Sequence, residues 1–245
     1  MHYDNFINIA FTPGKLDTYI ARNSILNSIE KILPRLSGHL LDIGCGQKPY
    51  KPLLTSSQSS VTKYIGLDLE DNPIHKNKPD ITWKDGKIPL DDGIIDCAIA
   101  TEVFEHCPDP KKVMNEINRV LKPGGFLFFT VPFLWPLHEV PFDEYRYTPF
   151  SLKRILIESG FSNIILKPLG GWDASLAQML GLWARRRPMH RWNRVFFSML
   201  FLPFIYILYR TDKRLNTRFL ESAMITGLVG TALKNDTNCR VLQRI

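Results

Sequence analysis

The sequence predicts an α/β fold built around a doubly wound parallel sheet. Short, continuous apolar runs alternate with segments of helical periodicity along most of the chain, and a parallel strand that is covered on both faces needs such a run. Glycine, proline and helix-capping residues stand between the runs, where the chain has to turn. The length of 245 residues allows one large domain, or one domain with an inserted subdomain.

Six apolar runs are predicted as strands, at 39–43, 63–69, 81–84, 94–100, 126–131 and 163–167. Three segments with helical periodicity are predicted as helices, at 16–36, 109–121 and 148–160. Asp109 and Thr148 are each followed by proline, which is typical of a helix N-cap and first turn. The alternation of strand and helix is the pattern of a doubly wound sheet.

The regular alternation stops after Gly170 and Gly171. Residues 172–220 are apolar, aromatic and basic, and we predict that they form a helical insertion before a last strand at 223–233. Residues 1–171 and 221–245 would then form one domain. Within the insertion, 185–218 holds nine Arg and Lys residues and one Asp, a net charge of +8, so the rest of the chain carries about −1 of the total +7.

Candidate ligand-binding residues stand where the predicted strands end. Gly44 and Gly46 follow the first strand and allow the backbone to turn sharply and approach a ligand closely. Asp68 ends the second strand, where a carboxylate can accept both hydroxyls of a ribose. The next two strands are also followed by acidic or glycine residues, namely Asp85, Gly86 and Glu102. Open α/β sheets bind ligands outside the carboxyl ends of their strands, so these positions predict one binding site.

Five motifs occur in an order and spacing that resemble one family. They are LDIGCG at 41–46, Asp68 after the second strand, IPLDDGIID at 88–96, EVFEH at 102–106 and KPGG at 122–125. Together they resemble the class I S-adenosylmethionine-dependent methyltransferases over 16–167. The resemblance implies a Rossmann-like three-layer sandwich with a helical insertion before the last strand, an enzyme that transfers methyl groups, and S-adenosyl-L-methionine as its cofactor.

The resemblance also implies roles for individual residues around that cofactor. The methionine portion would be bordered by Asp42, Gly44 and Gly46, with Glu102 at the mouth of its pocket. The ribose would be held by Asp68, and the adenine would lie against Leu69 and near Asp85 and Gly86. Many family members have a third glycine where Lys48 stands, which puts the geometry of this loop in doubt.

Two alternatives remain open at this stage. An NAD-binding domain shares the glycine turn and the acidic residue after the second strand. Its G-x-G-x-x-G fingerprint would need glycine where Pro49 stands, so this alternative is disfavoured. A protein that retains the fold without catalysing methyl transfer is the other alternative, because a fold does not imply chemistry.

The segment 132–149 is dense in aromatic, acidic and imidazole groups and is the predicted acceptor loop. It is similar to a stretch found in a bacterial subgroup associated with glycan biosynthesis, which favours O-methylation of a sugar or lipid-linked glycan. His138 is the candidate general base, and Asp143 would orient it or act instead. Tyr145 and Arg146 would line the acceptor pocket, although Arg146 could equally brace the loop by pairing with Asp143 or Glu139. Methylation of carbon or nitrogen in a lipid or quinone is the second candidate reaction.

The basic insertion predicts an anionic partner, such as a membrane surface or a phosphorylated substrate, and the segment 172–220 could contact a membrane, cap the acceptor site or form a dimer contact. Its apolar run at 195–209 is shorter than the ~20 residues of a typical bilayer span and contains Pro203, which disfavours a transmembrane helix. Nucleic acid is disfavoured because no recognisable nucleic-acid-binding module is present. No metal-ligand spacing is visible, and residues 1–17 lack a signal-peptide pattern, so we expect a metal-independent enzyme in the reducing cytoplasm. The pattern predicts no oligomeric state.

Overall fold

A computed structural model describes residues 4–70, 78–84, 86–212, 219 and 222–235. The described chain contains a seven-stranded sheet with the order β3-β2-β1-β4-β5-β7-β6. Its strands are β1 (Ser37–Ile43), β2 (Ser60–Asp68), β3 (Ile81–Thr82), β4 (Ile95–Thr101), β5 (Leu121–Pro132), β6 (Phe161–Leu169) and β7 (Gly227–Lys234). Each predicted strand therefore corresponds to a strand of the sheet, and the α/β class is confirmed.

The α-helices of the described chain are α1 (Asp4–Ile7), α2 (Leu16–Ile32), α3 (Lys51–Leu54), α4 (Pro110–Val120), α5 (Pro149–Glu158), α6 (Trp172–Arg186) and α7 (Arg191–Asp212). The two predicted N-caps are confirmed, because the Asp109 and Thr148 side chains accept backbone hydrogen bonds from Lys112 and Ser151. Helix α2 ends before Pro34, as expected for a residue that cannot continue a helix.

The last strand corrects the expectation of an all-parallel sheet. At one end of the β6–β7 pair the Thr226 backbone N–H donates to the Leu169 carbonyl, and at the other end the Asn235 N–H donates to the Gly160 carbonyl. The two strands are therefore antiparallel, and the sheet is mixed. The chain leaves β6 at Leu169 and enters β7 beside the same residue, at the same end of the two strands. For this reason β7 has to run in the opposite direction to β6. The strand also begins later than the predicted 223.

The central strands are covered on both faces. Successive residues of a strand point to opposite faces, so an unbroken run of buried residues requires cover on each side. Such runs occur at 40–43 in β1, at 97–100 in β4 and at 126–132 in β5. This burial explains why the strands are continuous apolar runs in the sequence, and their parallel pairing places their carboxyl ends side by side at one end of the buried core.

The chain divides into two compact units. One consists of Met1–Glu30, Pro132–Pro136 and Lys167–Val229, and the other of Lys31–Val131, Leu137–Leu166 and Gly230–Ile245. The predicted insertion at 172–220 lies in the first unit together with α2, so the compact units do not share the boundaries expected at 171 and 221. The reason is a common core, formed by Leu16 and Ile20 of α2, Ala174 and Ala177 of α6, and Ile205 and Tyr209 of α7.

Helix α7 is longer than its apolar run and continues through Pro203. Its 22 residues would extend about 33 Å at 1.5 Å per residue, so by length and composition it could cross a membrane. Only 22% of an 18-residue apolar stretch of this helix is buried. One face nevertheless packs within the first unit, and Asp212 at its end accepts hydrogen bonds from the Gly171 and Ala174 backbone N–H groups at the start of α6.

Candidate cofactor and acceptor sites

The turn after β1 has the backbone geometry that its glycines predict. Gly44 and Gly46 have φ angles of 64° and 49°, in the left-handed region that glycine adopts at little cost. A Cβ on Gly44 would lie 2.6 Å from Cγ2 of Val103, so the backbone at this position approaches its neighbour too closely for a side chain. Gly44 is exposed between buried residues, which leaves its backbone accessible at the edge of the sheet.

The carboxylate of Asp68 is tied to this turn. Its Oδ2 accepts a hydrogen bond from the Gly46 backbone N–H at 2.8 Å, and its Oδ1 accepts one from the Leu69 N–H at 2.7 Å. The two backbone donors fix the orientation of this carboxylate at the end of β2. The Leu69 side chain is 59% exposed beside it, as an apolar platform for a ring would have to be.

Two further carboxyl groups lie at the ends of β1 and β4, where Asp42 is buried and Glu102 is partly buried. Asp42 accepts a hydrogen bond from the Tyr64 hydroxyl. Burial raises the pKa of Asp42 to about 7, against the smaller opposing effect of that hydrogen bond. Burial likewise raises the pKa of Glu102 to about 7, and Glu102 has a positive φ of 54°. Both groups are thus poised to lose a proton near neutral pH if a cation approaches.

Lys48, where many family members have glycine, adopts the conformation that a glycine would. Its φ is 56°, and its backbone N–H closes the turn on the Cys45 carbonyl at 2.7 Å. Its ammonium group lies 2.7 Å from Asp80, whose other oxygen accepts the Gly66 backbone N–H at 2.7 Å. The departure in sequence therefore leaves the turn geometry intact, because a lysine occupies the left-handed position.

The third strand gives less information about the predicted site. Asp85 lies outside the described residues. Gly86 has a φ of 73°, and a Cβ there would lie 2.5 Å from Nζ of Lys112. Gly86 is thus beside a lysine side chain, and its contact with an adenine stays a prediction.

In the acceptor loop, His138 and Asp143 are brought together. Nδ1 of His138 lies 3.1 Å from Oδ2 of Asp143, which also accepts the His138 backbone N–H at 3.1 Å. The guanidinium of Arg146 donates to both Asp143 oxygens, at 2.6 and 2.8 Å. This pairing holds the pKa of Asp143 well below its usual range. Burial lowers the pKa of His138, so its imidazole is neutral at neutral pH and keeps one lone pair.

Comparisons with known proteins identify the family and the fold. The family model for the methyltransferase domain matches residues 18–198. The chain belongs to the methyltransferase domain family. An uncharacterized methyltransferase of Mycobacterium leprae is 26% identical over 181 residues, covering 65% of this chain and 66% of the relative. The matches span between 29% and 66% of the length of the first curated relatives, so the activity, substrates and partners of the whole protein are proposals.

Two solved structures show the same fold. An S-adenosylmethionine-dependent methyltransferase of Archaeoglobus fulgidus aligns with a TM-score of 0.54 at 17% identity, covering 94% of this chain and 97% of its own. A phosphoethanolamine N-methyltransferase of Haemonchus contortus, in complex with phosphomonomethylethanolamine and S-adenosylhomocysteine, aligns with a TM-score of 0.52 at 15% identity, covering 96% and 61%. At these identities the likeness shows the class I methyltransferase fold.

Two of the predicted acceptor residues brace the loop. Arg146 pairs with Asp143, which is one of the two bracing partners that the sequence left open. The Tyr145 hydroxyl donates to the Pro108 carbonyl at 3.1 Å, and its ring stacks on Tyr147 at 5.5 Å. Contact of Tyr145 and Arg146 with an acceptor stays a prediction.

Sequence reasoning missed the position of Glu105. Its side chain has no exposed surface, and its backbone carbonyl accepts the N–H groups of Glu144 and Tyr145, which fastens the EVFEH element to the acceptor loop. His106 completes this connection, because its Nδ1 lies 3.1 Å from the Phe142 carbonyl. The only signal in the sequence was the presence of the EH motif and of a second histidine, His138, about thirty residues later. This signal does not say how far apart the side chains lie.

Proposed function

We propose that this methyltransferase transfers a methyl group from S-adenosyl-L-methionine to a hydroxyl group of a sugar or lipid-linked glycan. The observation that carries the proposal is the position of three acidic residues. Asp68, Asp42 and Glu102 lie at the carboxyl ends of β2, β1 and β4, which are adjacent strands, and Asp68 is bonded to the glycine turn. This is where open α/β sheets bind their ligands.

The residues present fit the proposed cofactor. S-adenosyl-L-methionine supplies, when bound, a reactive methyl group on a positively charged sulfonium. Asp42 and Glu102 are carboxyl groups with raised pKa values, so a cationic ligand would favour their ionised forms. The fixed carboxylate of Asp68 suits the two hydroxyls of a ribose, and the left-handed turn at Gly44 lets the backbone approach the ligand.

His138 is the proposed proton acceptor for the acceptor hydroxyl. Asp143 is held ionised by Arg146, so it accepts a hydrogen bond from Nδ1–H of the imidazole and leaves the lone pair on Nε2. Asp143 is then a positioning residue. Because its carboxylate is occupied by Arg146 and His138, it is a poor base itself.

The choice of a hydroxyl acceptor follows from this base. A hydroxyl must lose a proton during methyl transfer, whereas a neutral amine or an activated carbon can react with less help. Methylation of carbon or nitrogen in a lipid or quinone is the alternative, and it would tolerate loss of the His138 imidazole.

We also propose that α6 and α7 bind the surface of an anionic membrane. The exposed side of these helices carries large apolar side chains: Leu176, Met179, Trp183, Trp192, Val195, Phe196, Met199, Leu200, Phe204 and Ile207. Arginines lie among them, and Arg187 stacks on Trp183 at 3.6 Å. Tryptophan and arginine beside an apolar face are typical of helices that lie in the headgroup region. Because the opposite face of α7 packs on α2 and α6, an orientation along the surface is favoured over a span.

Titration of the purified protein with S-adenosyl-L-methionine in a calorimeter, beside an NADH control, tests the cofactor. We expect binding of the sulfonium compound alone, and a loss of at least tenfold in affinity for Asp68→Asn, because one charged acceptor is removed (about 1.5–3 kcal/mol). Binding of NADH, or no binding by folded protein with or without anionic vesicles, would contradict the proposal. Formation of S-adenosylhomocysteine with lipid or glycan extract fractions separates an enzyme from a protein that only retains the fold.

A further inference from the structure

Three potential ligand groups converge where the EVFEH element meets the acceptor loop. Nε2 of His106 lies 3.7 Å from Oε1 of Glu105, and Nε2 of His138 lies 3.9 Å from the same oxygen. One ligand atom from each residue lies within 4.8 Å of the other two. We infer that Glu105, His106 and His138 form a binding site for a divalent transition-metal cation such as Zn²⁺.

The burial of Glu105 is the first argument. Its side chain has no exposed surface, and within the described part of the chain neither carboxyl oxygen has a hydrogen-bond partner. A buried carboxyl group without a partner costs free energy, and native proteins rarely leave one in that state. Glu102 and Asp143 add like charges around Glu105, while the guanidinium of Arg146, which attracts its carboxyl group, is hydrogen-bonded to Asp143. A cation would compensate the negative charge of Glu105.

The orientation of the two imidazoles is the second, independent argument. Each ring turns Nε2 towards Glu105, while its Nδ1 faces an acceptor: the Asp143 carboxylate at 3.1 Å for His138, and the Phe142 carbonyl at 3.1 Å for His106. Histidines that bind metals in proteins almost always donate their other N–H to a carboxylate or a backbone carbonyl, which fixes the tautomer and aims the lone pair. Both kinds of partner are present here.

The dimensions of the cluster suit a small cation after a modest contraction. Zn²⁺ binds nitrogen and oxygen at about 2.0–2.2 Å, so two ligands of a tetrahedral site are about 3.4 Å apart. The two carboxylate–imidazole distances, 3.7 and 3.9 Å, exceed this by a few tenths of an ångström, whereas the largest separation among the three ligand atoms, up to 4.8 Å, would have to shorten by more than an ångström through rotation of the imidazole side chains. Oε2 of Glu139 lies 3.9 Å from Nε2 of His106 on the exposed side, where a coordination position would remain open. Two histidines and one carboxylate with an open position favour Zn²⁺ or Fe²⁺ over Mg²⁺.

The inference goes beyond the proposed function and does not depend on it, because the cation can be titrated without cofactor or acceptor. Cation and proton would compete for the same lone pair of His138. While the cation is bound, His138 is a ligand and cannot accept the proton of an acceptor hydroxyl. The cation would then lower the pKa of an acceptor hydroxyl bound at the open position, and the proton of that hydroxyl would pass to solvent water on the exposed side of the cluster.

Calorimetric titration of the full-length chain with Zn²⁺, and the visible absorption spectrum with Co²⁺, test the site. We expect one equivalent of each to bind, with a Co²⁺ spectrum that lacks an intense thiolate band, and Mg²⁺ to bind far more weakly. His106→Ala, His138→Ala and Glu105→Gln should each weaken Zn²⁺ binding by about 100-fold or more, since each removes a direct ligand. His190→Ala is the matched control, because it removes an exposed histidine from the other compact unit.

Two results would overturn the inference. One is that folded wild-type protein binds neither Zn²⁺ nor Co²⁺ at micromolar concentrations. The other is that the ligand variants bind as tightly as His190→Ala, which would place the cation elsewhere. If Glu105→Gln fails to fold, as judged by circular dichroism, the two histidine variants still decide the question. Cofactor titration is run separately, so loss of S-adenosyl-L-methionine binding and loss of metal binding are distinguishable.

Discussion

Asp143 holds His138 at two points, because one carboxylate oxygen accepts the His138 backbone N–H and lies 3.1 Å from Nδ1 of its ring. The second oxygen of Asp143 is bound by Arg146, which also contacts the first. The imidazole therefore has a fixed tautomer and a fixed direction. This relationship matters only if the lone pair on Nε2 is used, and a substitution at Asp143 tests that without removing the imidazole.

Asp143→Asn should lower kcat of the methyl-transfer reaction by about 10²–10⁴-fold, the usual contribution of a positioned acid or base. An amide can turn its NH₂ group towards Nδ1 and so favour the wrong tautomer. The measurement is single-turnover formation of S-adenosylhomocysteine, with the cofactor Kd expected to be unchanged. Glu144→Gln is the control, since Glu144 is adjacent and exposed. Equal rates for the two variants would remove His138 as the base.

Cofactor affinity should rise with pH between about 6 and 8. Burial raises the pKa of Asp42 and Glu102 to about 7, so the protein without cofactor holds protons there that a cationic ligand must displace. If both carboxyl groups must ionise, the fraction in the binding form changes by about tenfold per group across this range. Calorimetry at several pH values in two buffers of different ionisation enthalpy would show proton release on binding.

The same two groups should make the cofactor-free protein less stable as pH rises. Their pKa values in the folded state are higher than in the unfolded state, so their stabilising contribution is full below about pH 4 and is lost as pH rises through about 7. Asp42→Asn should flatten this dependence and stabilise the cofactor-free protein at pH 8, while weakening cofactor binding. A thermal unfolding midpoint that rises between pH 5 and 8 in the unliganded wild type would contradict the assignment.

Gly44→Ala should destabilise the protein by about 1–2 kcal/mol, because a left-handed φ is costly for any residue with a Cβ. The added Cβ would also meet Val103 at 2.6 Å, so the turn must shift and cofactor affinity should fall by more than tenfold. Gly14→Ala is the matched control, because nothing lies within 4 Å of its Cβ position. Urea unfolding and cofactor titration of both variants give the comparison. A loss of cofactor binding in both would indicate a cause other than the turn.

The sequence predicted those parts of the protein that local pattern determines. Continuous apolar runs identified the covered strands, and an aspartate or threonine before proline identified the two N-caps, because these signals depend on neighbours in the chain. The direction of β7 was not predicted, since an apolar run has the same pattern in a parallel and an antiparallel strand. It follows instead from where the chain re-enters the sheet after α7.

The candidate sites also contain residues that the sequence predicted and residues that it did not. Gly44, Gly46 and Asp68 belong to motifs whose spacing is short, and the structure brings them together as expected. The contact of Glu105 with His138 depends on the path of the acceptor loop, which sequence spacing does not contain. For this reason the sequence predicted no metal ligands, whereas the three-dimensional arrangement is what supports a cation.

Binding of α6 and α7 to a membrane should depend on exposed phenylalanines of α7. Phe196 and Phe204 are 62% and 58% exposed, and each can gain about 1.5–3 kcal/mol by entering the apolar part of a bilayer. The double variant Phe196→Ser/Phe204→Ser should therefore lose at least 100-fold in affinity for vesicles containing phosphatidylglycerol. Co-flotation of protein and vesicles in a density gradient measures this. Phe150→Ser on α5 is the control, because that side chain is 73% exposed outside these helices.

The charged residues around this face should add a component that depends on the lipid. Arg191→Glu should weaken binding to anionic vesicles, at about 1 kcal/mol for each basic charge near the surface, and should have little effect with phosphatidylcholine alone.

Extraction at alkaline pH then distinguishes a surface orientation from a span, because a peripheral protein is released and a transmembrane helix is retained. Release from the vesicles fits the packing of one face of α7 on α2 and α6, whereas retention would mean that this packing opens in the membrane. Equal flotation of the double phenylalanine variant and the Phe150 control would show that the exposed face of α7 does not bind lipid.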